Sequence, residues 1–304
     1  MVATGVGFAL PGVLAIDAGR ALTLLERAAD AGCDPVMLTE VCGFGAPSLA
    51  AAFAARRPGA GLGTSIVPLG ARSEAALAME AATAAQISGA PFLLGVGTSS
   101  RQILRDWHGR EHDPSLAATR ARLEALRAIL DGQQRGSFRL PVPPGADVRV
   151  LLAALGPKMV ALALEAADGV IVNHTPPAAV PAATGDRTVI AACWTIASPD
   201  GAQRARRELT SYVMARPYAL HYVRMGFGDV VRRVHALHAE GRLREAPALL
   251  PEEMVAACYV SEEQVAQRVT AYRAAGATPL LLPVTGADPA ADIAAFLDRR
   301  AWEG

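Results

Sequence analysis

Short apolar segments alternate with Ala-rich amphipathic segments along almost the whole chain. The apolar segments have the length of buried strands and are bounded by Gly, Pro or polar residues. In the segments between them, apolar residues recur at the three- and four-residue spacing of one helix face. The pattern predicts eight strands, at residues 4–10, 35–39, 61–67, 92–97, 148–153, 169–173, 189–197 and 279–283.

Helices are predicted between these strands, at residues 17–31, 48–57, 74–88, 116–130, 157–167, 201–214 and 288–300. Residues 215–278 also have a mostly helical pattern. Alternating strands and helices indicate a mostly parallel sheet covered by helices. Eight such units predict an α/β protein that folds as a (β/α)8 TIM barrel. We expect one domain, residues 1–304, with helical insertions after strands four and seven.

A doubly wound open sheet is the alternative architecture, because two Gly-rich runs resemble a dinucleotide-binding turn. One run contains Gly59, Gly61 and Gly63, and the other contains Gly95 and Gly97. Neither run completes the GxGxxG pattern at a strand-to-helix turn, and the first enters a strand instead of leaving one. The sequence therefore favours the barrel.

Charge and composition exclude several classes of partner. The 29 basic and 29 acidic residues balance to zero net charge, and only 19% of residues are charged. We therefore expect neither nucleic-acid binding nor a polybasic membrane anchor. No apolar run approaches the ~20 residues of a membrane span, and residues 1–15 carry no basic leader, so we expect a cytoplasmic protein. The four cysteines form no CxxC pair, which predicts reduced thiols and no metal site.

Five of the predicted strands end in residues that can form hydrogen bonds. Because catalytic groups of barrel enzymes lie at the carboxyl ends of the strands, we expect these residues to surround a pocket. The alternative is that they are polar because strand ends meet solvent. The five strand ends are Thr39-Glu40, Thr64-Ser65-Ile66, Thr98-Ser99-Ser100, Asn173-His174 and Trp194-Thr195.

The turn after the fifth strand predicts an anion site. Gly156 precedes the helix and Pro157 occupies its first turn, where the missing N–H of proline costs nothing. The remaining free N–H groups and the helix dipole suit a phosphate, and Lys158, the only lysine in the chain, adds an ammonium group. The alternative is an ordinary helix start with an exposed lysine.

Several of these segments resemble the bacterial luciferase-like family, specifically its flavin and deazaflavin oxidoreductases. The resemblance covers most of the chain. It is strongest from residue 61 to residue 175, where the matching segments are 61–69, 87–98, 152–159 and 167–173, with Trp107-His-Gly109 in the expected loop. Residues 217–226 resemble a helical insertion of the coenzyme F420 branch. The resemblance implies a luciferase-like barrel that binds coenzyme F420 or, alternatively, FMN at its carboxyl rim.

The resemblance also implies roles for particular residues. Ser65 and Ile66 would be joined by a nonprolyl cis peptide and would form a bulge behind the deazaflavin ring. Three residues after the fourth strand, Gly97, Thr98 and Ser99, would line the cofactor groove. The cofactor phosphate would be held by four residues with Asn173 nearby; these four are Gly156, Pro157, Lys158 and Met159.

The sequence departs from the sugar-phosphate dehydrogenases of that family. Val41 and Ser100 stand where those enzymes have a histidine acid/base and a glutamate, so glucose-6-phosphate oxidation is not expected. Glu40 is the first candidate to move the proton that accompanies hydride transfer, and His174 is the second. The alternatives are that Glu40 pairs with an arginine and that His174 is a packed, structural histidine.

We therefore predict an F420-dependent oxidoreductase that transfers a hydride to or from a small organic molecule and forms a homodimer or higher homo-oligomer. An FMN-dependent monooxygenase that uses reduced flavin and oxygen is the main alternative. A Schiff-base aldolase is disfavoured because Lys158 begins a helix and does not end a strand. A non-catalytic barrel that binds a cofactor or a partner protein is a further alternative.

Overall fold

Eight parallel strands close into a barrel in the computed structural model, which describes residues 5–111, 113–144 and 147–303. In chain order, β1 to β6 pair successively, β6 pairs with β7, β7 pairs with β9, and β9 pairs with β1. These strands are β1 Gly7–Leu10, β2 Val36–Leu38, β3 Leu62–Pro68, β4 Phe92–Gly97, β5 Val148–Ala153, β6 Gly169–Val172, β7 Thr188–Ile196 and β9 Thr278–Val284. The predicted TIM barrel is confirmed.

Twelve α-helices accompany the strands in the described residues. They are α1 Ala18–Asp30, α2 Ala46–Arg56, α3 Glu74–Ser88, α4 Arg101–His108, α5 Leu116–Leu130, α6 Pro157–Ala166, α7 Gly201–Met214, α8 Arg216–Arg224, α9 Gly228–Ala239, α10 Glu252–Cys258, α11 Val265–Ala274 and α12 Pro289–Arg299. No helix within the described ranges is long and apolar enough to cross a membrane.

Alternation along each strand separates two layers of apolar side chains. In β1, Ala9 faces the barrel interior while its neighbours Phe8 and Leu10 pack beneath the helices. In β9, Leu280 and Leu282 point inward and Leu281 points outward. Burial of one such Leu or Phe side chain contributes ~1.5–3 kcal/mol. This two-sided burial explains why the strands read as continuous apolar runs in the sequence.

Helix α4 and a short strand were not predicted from the sequence. Helix α4 lies in the insertion after β4, where Ser100 caps it by accepting a hydrogen bond from the Ile103 N–H at 3.1 Å. The short strand β8, Tyr259–Ser261, pairs with the end of β7 from Trp194 to Ile196. Most predicted element boundaries agree within two residues, and residue 4 of the first predicted strand lies outside the described ranges.

The insertion after β7 has a hydrophobic core of its own. Helices α7 to α10 bury a second cluster that includes Leu209, Val213, Tyr222, Val234 and Met254. The helix predicted to follow strand seven, α7, packs against α8 and α9 as well as against β7 and β9. Helix α11 returns to the barrel wall and contacts β7 and β9. The insertion therefore stands at the carboxyl end of the barrel as a separately packed unit.

Candidate active site

The bulge in β3 lies at the carboxyl end of the barrel. The peptide between Ser65 and Ile66 is cis, as predicted, and the β3–β4 register shifts between Thr64 and Val67. Both Ser65 and Ile66 are partly exposed. A Cβ on Gly97 would lie 3.1 Å from Cδ1 and 3.2 Å from Cγ1 of Ile66. Gly97 therefore provides the space into which the Ile66 side chain packs.

The carboxylate of Glu40 is held by three N–H donors. It accepts hydrogen bonds from both terminal nitrogens of Arg72, one of them at 2.8 Å, and from the Ala46 N–H at 2.9 Å. The Ala46 N–H is at the start of α2, where a negative charge is favourable. The Glu40 side chain is only 9% exposed. Glu40 therefore pairs with an arginine, as the structural alternative in the sequence analysis expected, and Arg72 orients its carboxylate.

Arg72 was missed by the sequence analysis. It follows the turn that leaves β3 and also donates from Nε to Glu80, at 3.1 Å to Oε1. Burial raises the pKa of Glu80, against the opposing effect of Arg72. Its position just beyond a strand end was a signal in the sequence. That signal was weak because arginine is abundant throughout the chain.

The residues after β4 form the part of the rim next to the β3 bulge. Thr98 and Ser99 are partly exposed, and Ser99 has a left-handed backbone with φ of 56°. Such a φ is uncommon for a residue other than glycine and is seen mainly in tight turns. The turn brings the chain from β4 into α4, where Ser100 is used as the helix cap. Thr98 and Ser99 therefore have hydroxyl groups close to the open end of the barrel.

The start of α6 has the features of an anion site. Gly156 is its N-cap residue and provides no side-chain cap, and Pro157 lies in the first turn. Lys158 is exposed and forms no ion pair with any described residue, whereas Met159 packs against the core. Nη2 of Arg224, from α8, donates to the Leu155 carbonyl oxygen at 3.4 Å. Arg224 is a second cation at this place and was not predicted from the sequence.

Asn173 links two side chains from other elements. Its Oδ1 accepts from Nε1 of Trp194 at 2.7 Å and from the His174 N–H at 3.0 Å. Its Nδ2 donates to the Tyr218 hydroxyl at 2.8 Å. Both ends of the amide are therefore occupied by contacts within the protein.

His174 is enclosed beneath the insertion, with 1% of its surface exposed. Its backbone is left-handed with φ of 49°, and its Nδ1 shares a hydrogen bond with the Tyr222 hydroxyl. Burial, with a smaller contribution from His221, lowers the pKa of His174 to about 3. The ring is therefore neutral at neutral pH, which makes it a weak base.

Aromatic rings surround His174 on several sides. The nearest centroids are those of Tyr212 at 4.6 Å and Tyr259 at 5.3 Å.

Three buried polar atoms in this region have no hydrogen-bond partner among the described residues: Nε2 of His174, the Tyr259 hydroxyl and Oε2 of Glu208. Burial raises the pKa of Glu208 to about 7.

Two surface depressions, of about 650 and 580 Å³, lie on the insertion and not at the barrel end. Their walls carry arginines already bound within the insertion, such as Arg206, which donates to the Leu250 carbonyl oxygen at 2.6 Å. Within the described ranges, no group of three His, Cys, Asp or Glu side chains is arranged to hold a metal ion. The chemistry of the strand ends, and not the depressions, indicates the candidate site.

A family model described as luciferase-like monooxygenase matches residues 3–279. The chain belongs to the luciferase-like monooxygenase family. The match includes β1 to β8, the start of β9 and the insertion, so the rim that holds Glu40, Ser65, Lys158 and His174 lies inside the family domain. The family assignment made from sequence is confirmed.

Relatives of this luciferase-like chain are named for two cofactors. A Mycobacterium tuberculosis protein named as a coenzyme F420-dependent oxidoreductase is 28% identical, covering 90% of this chain and 93% of that protein. The coenzyme F420-dependent tetrahydromethanopterin reductase of Methanopyrus kandleri has a TM-score of 0.75 at 20% identity, covering 96% of this chain and 97% of that one. The oxygenating constituent of 3,6-diketocamphane monooxygenase from Pseudomonas putida, in complex with FMN, has a TM-score of 0.61 at 15% identity and covers 98% of both chains. The two solved structures share the luciferase-like barrel.

Proposed function

We propose that this protein is a coenzyme F420-dependent oxidoreductase that transfers a hydride between the deazaflavin and a small organic substrate. The observation that carries the proposal is the match, over nearly its whole length, to a relative named for F420-dependent oxidoreduction. The arrangement of the rim supports it, because a partly exposed apolar bulge and a cationic helix start lie at the same end of the barrel.

The residues present fit a planar ring that carries a phosphate chain. The Ser65–Ile66 bulge, with Gly97 behind it, would back the ring. The hydroxyl groups of Thr98 and Ser99 would line the groove beside it. The free N–H groups after Gly156 and Pro157, with Lys158, would hold the phosphate, and Met159 would close this end against the core.

When bound, a deazaflavin supplies a carbon centre that gives or accepts a hydride. The protein orients the substrate, excludes water and handles one proton. We propose that Glu40 exchanges that proton with the substrate, since its carboxylate lies at the end of β2 and its N–H contacts the Ile66 carbonyl oxygen at 3.1 Å. His174 is the second candidate, but its low pKa and its enclosure make it the weaker one.

The cofactor assignment is tested by fluorescence titration of the purified protein with coenzyme F420 and with FMN. We expect F420 to bind more tightly than FMN. Equal or tighter binding of FMN would overturn the assignment and would favour the FMN-dependent monooxygenase. That alternative is motivated by the similarity to the FMN-bound diketocamphane monooxygenase structure. Oxygen consumption with reduced FMN measures that second activity directly.

We further propose a cytoplasmic homodimer or higher homo-oligomer that acts on a small molecule. Light scattering of the purified protein measures the molar mass of the assembly, against 31.5 kDa for one chain. A molar mass equal to that of one chain would contradict the proposed assembly.

A further inference from the structure

Three side chains of helix α8 form hydrogen bonds with the two residues that follow β6. The Tyr218 hydroxyl accepts from Nδ2 of Asn173 at 2.8 Å, and the Tyr222 hydroxyl shares a hydrogen bond with Nδ1 of His174. Nε2 of His221 donates to the His174 carbonyl oxygen at 2.9 Å. Residues three and four apart share one face of a helix, so these contacts come from a single face of α8. We call Tyr218, His221 and Tyr222 the α8 clamp.

Two of the three clamp contacts, those of Tyr222 and His221, are buried. His174 is 1% exposed and Tyr222 is fully buried. The Trp194 indole holds the other end of the Asn173 amide at 2.7 Å. Hydrogen bonds in a water-poor interior are costly to break, since an opened group has no alternative partner. Asn173 and His174 therefore fix both the position and the rotation of α8.

The clamp places the end of α8 beside the start of α6. Arg224 is the last residue of α8, two positions after Tyr222. Its Nη2 lies 3.4 Å from the Leu155 carbonyl oxygen and 3.7 Å from the point that a Cβ on Gly156 would occupy. The guanidinium group thus lies next to the N-cap of the helix that begins with Pro157 and Lys158.

The positive charges beside the start of α6 have no acidic partner among the described residues. Neither Lys158 nor Arg224 forms an ion pair with a carboxylate in the part of the chain that the structure describes. Both cations lie at the positive end of the α6 dipole, where a third positive contribution comes from the free N–H groups. An anion that contacts both side chains would neutralise their charges and would gain charge-assisted hydrogen bonds.

We propose that Asn173 and His174 are positioning residues that act through α8, and that α8 presents Arg224 as the second cation for the cofactor phosphate beside Lys158. This inference rests on the proposed function, which puts the phosphate at the start of α6. The clamp residues touch neither substrate nor cofactor in this arrangement. Their effect on phosphate binding is transmitted through Arg224.

The experiment compares two ligands that differ only in the phosphate chain: coenzyme F420 and its deazaflavin core with an unphosphorylated ribityl group. Fluorescence titration gives Kd for both. We expect Arg224→Ala to weaken F420 binding about tenfold and to leave binding of the core unchanged. Arg224→Lys should recover part of the loss. Arg216→Ala, which removes the same charge at the other end of α8, is the control and should bind both ligands as the wild type does.

Tyr222→Phe removes only the clamp hydroxyl, and Tyr218→Phe is the second variant of this kind. Each should weaken F420 binding several-fold with no change for the core. Combined with Arg224→Ala, Tyr222→Phe should add little, because both changes remove the same contribution. A variant that weakens both ligands equally would show a merely structural role and would overturn the inference.

The Lys158→Ala variant separates this inference from the proposed function. If Lys158→Ala weakens F420 binding selectively while Arg224→Ala does not, only the role of α8 is wrong. If neither variant affects the phosphate-dependent part of binding, or F420 does not bind, the proposed phosphate site is wrong as well.

Discussion

The backbone N–H of Glu40 donates a 3.1 Å hydrogen bond to the carbonyl oxygen of Ile66. The carboxylate of the same residue accepts hydrogen bonds from Arg72 and from the first N–H of α2. Glu40 therefore connects the bulge of β3 with the start of α2 and with the turn that carries Arg72. A change at this residue has two separable consequences, one for stability and one for the proposed proton transfer.

Replacement of Glu40 by Gln should lower kcat while cofactor affinity changes little. The amide keeps an oxygen for the Ala46 N–H but cannot accept a proton, so the loss falls on the chemical step. Arg72 would lose one of its two carboxylate partners and keep Glu80, which should also reduce the free energy of unfolding by about 1–3 kcal/mol. Steady-state kinetics and urea unfolding measure the two effects.

The matched control for this change is Glu80→Gln. Glu80 is the other carboxylate bound to Arg72, but it lies on α3 and away from the bulge. We expect this variant to lose stability with kcat near that of the wild type. A fall in kcat as large as that of Glu40→Gln would mean that both act by orienting Arg72, and Glu40 would then not be the proton carrier.

Removal of the Lys158 side chain should affect cofactor binding and not the reaction. The ammonium group gives the same interaction in the ground state and in the transition state, so Lys158→Ala should raise the cofactor KM about tenfold or more at unchanged kcat. The measurement is a set of initial rates over a range of cofactor concentrations. Loss of kcat with cofactor binding intact would contradict the assignment.

A methyl group at Gly97 should disturb the bulge behind the proposed ring site. In Gly97→Ala the new Cβ would lie 3.1 Å from Cδ1 of Ile66, which forces that side chain to shift. We expect weaker binding of both F420 and its phosphate-free core, measured by titration. Gly228→Ala is the control, because a Cβ there meets nothing closer than 3.7 Å. Unchanged binding in Gly97→Ala would place the ring elsewhere.

The sequence was sufficient to predict the barrel because its strands carry strong local signals. Residues 92–97 and 148–153 are apolar runs next to Gly, Pro or polar residues, and both were predicted with the bounds that the structure gives. The Ser65–Ile66 cis peptide was predicted as well, from the family resemblance alone. Such features depend on residues that are close together along the chain.

Contacts between distant segments could not be predicted in this way. Arg72 is 32 residues from Glu40, and Arg224 is 69 residues from Leu155. No local pattern specifies such pairs, since they form only when the barrel closes. One signal was available: all five tyrosines lie between residues 212 and 272, and Tyr218 and Tyr222 have the spacing of one helix face. That spacing indicated a packed aromatic surface on the insertion.

Glu208 should make the protein less stable as the pH rises from 4.5 to 7. Burial raises its pKa from 4.5 to about 7, against a smaller opposing effect of Arg204. Between these two pH values the folded protein keeps a proton that the unfolded chain has released. Raising the pH removes this advantage, so the free energy of unfolding falls across the window and then stays level above pH 7.

The Glu208→Gln variant tests this dependence, because the amide cannot ionise. Urea unfolding at pH 5, 6, 7 and 8 should show a flatter profile than the wild type and a higher free energy of unfolding at pH 8. His174 acts in the opposite direction below pH 6.5, but it is present in both proteins and cancels in the difference. Glu165→Gln, at an exposed ion pair with Arg120, should keep the profile of the wild type over this range. If the Glu208→Gln and wild-type profiles are parallel, Glu208 is ionised throughout and does not control the pH dependence.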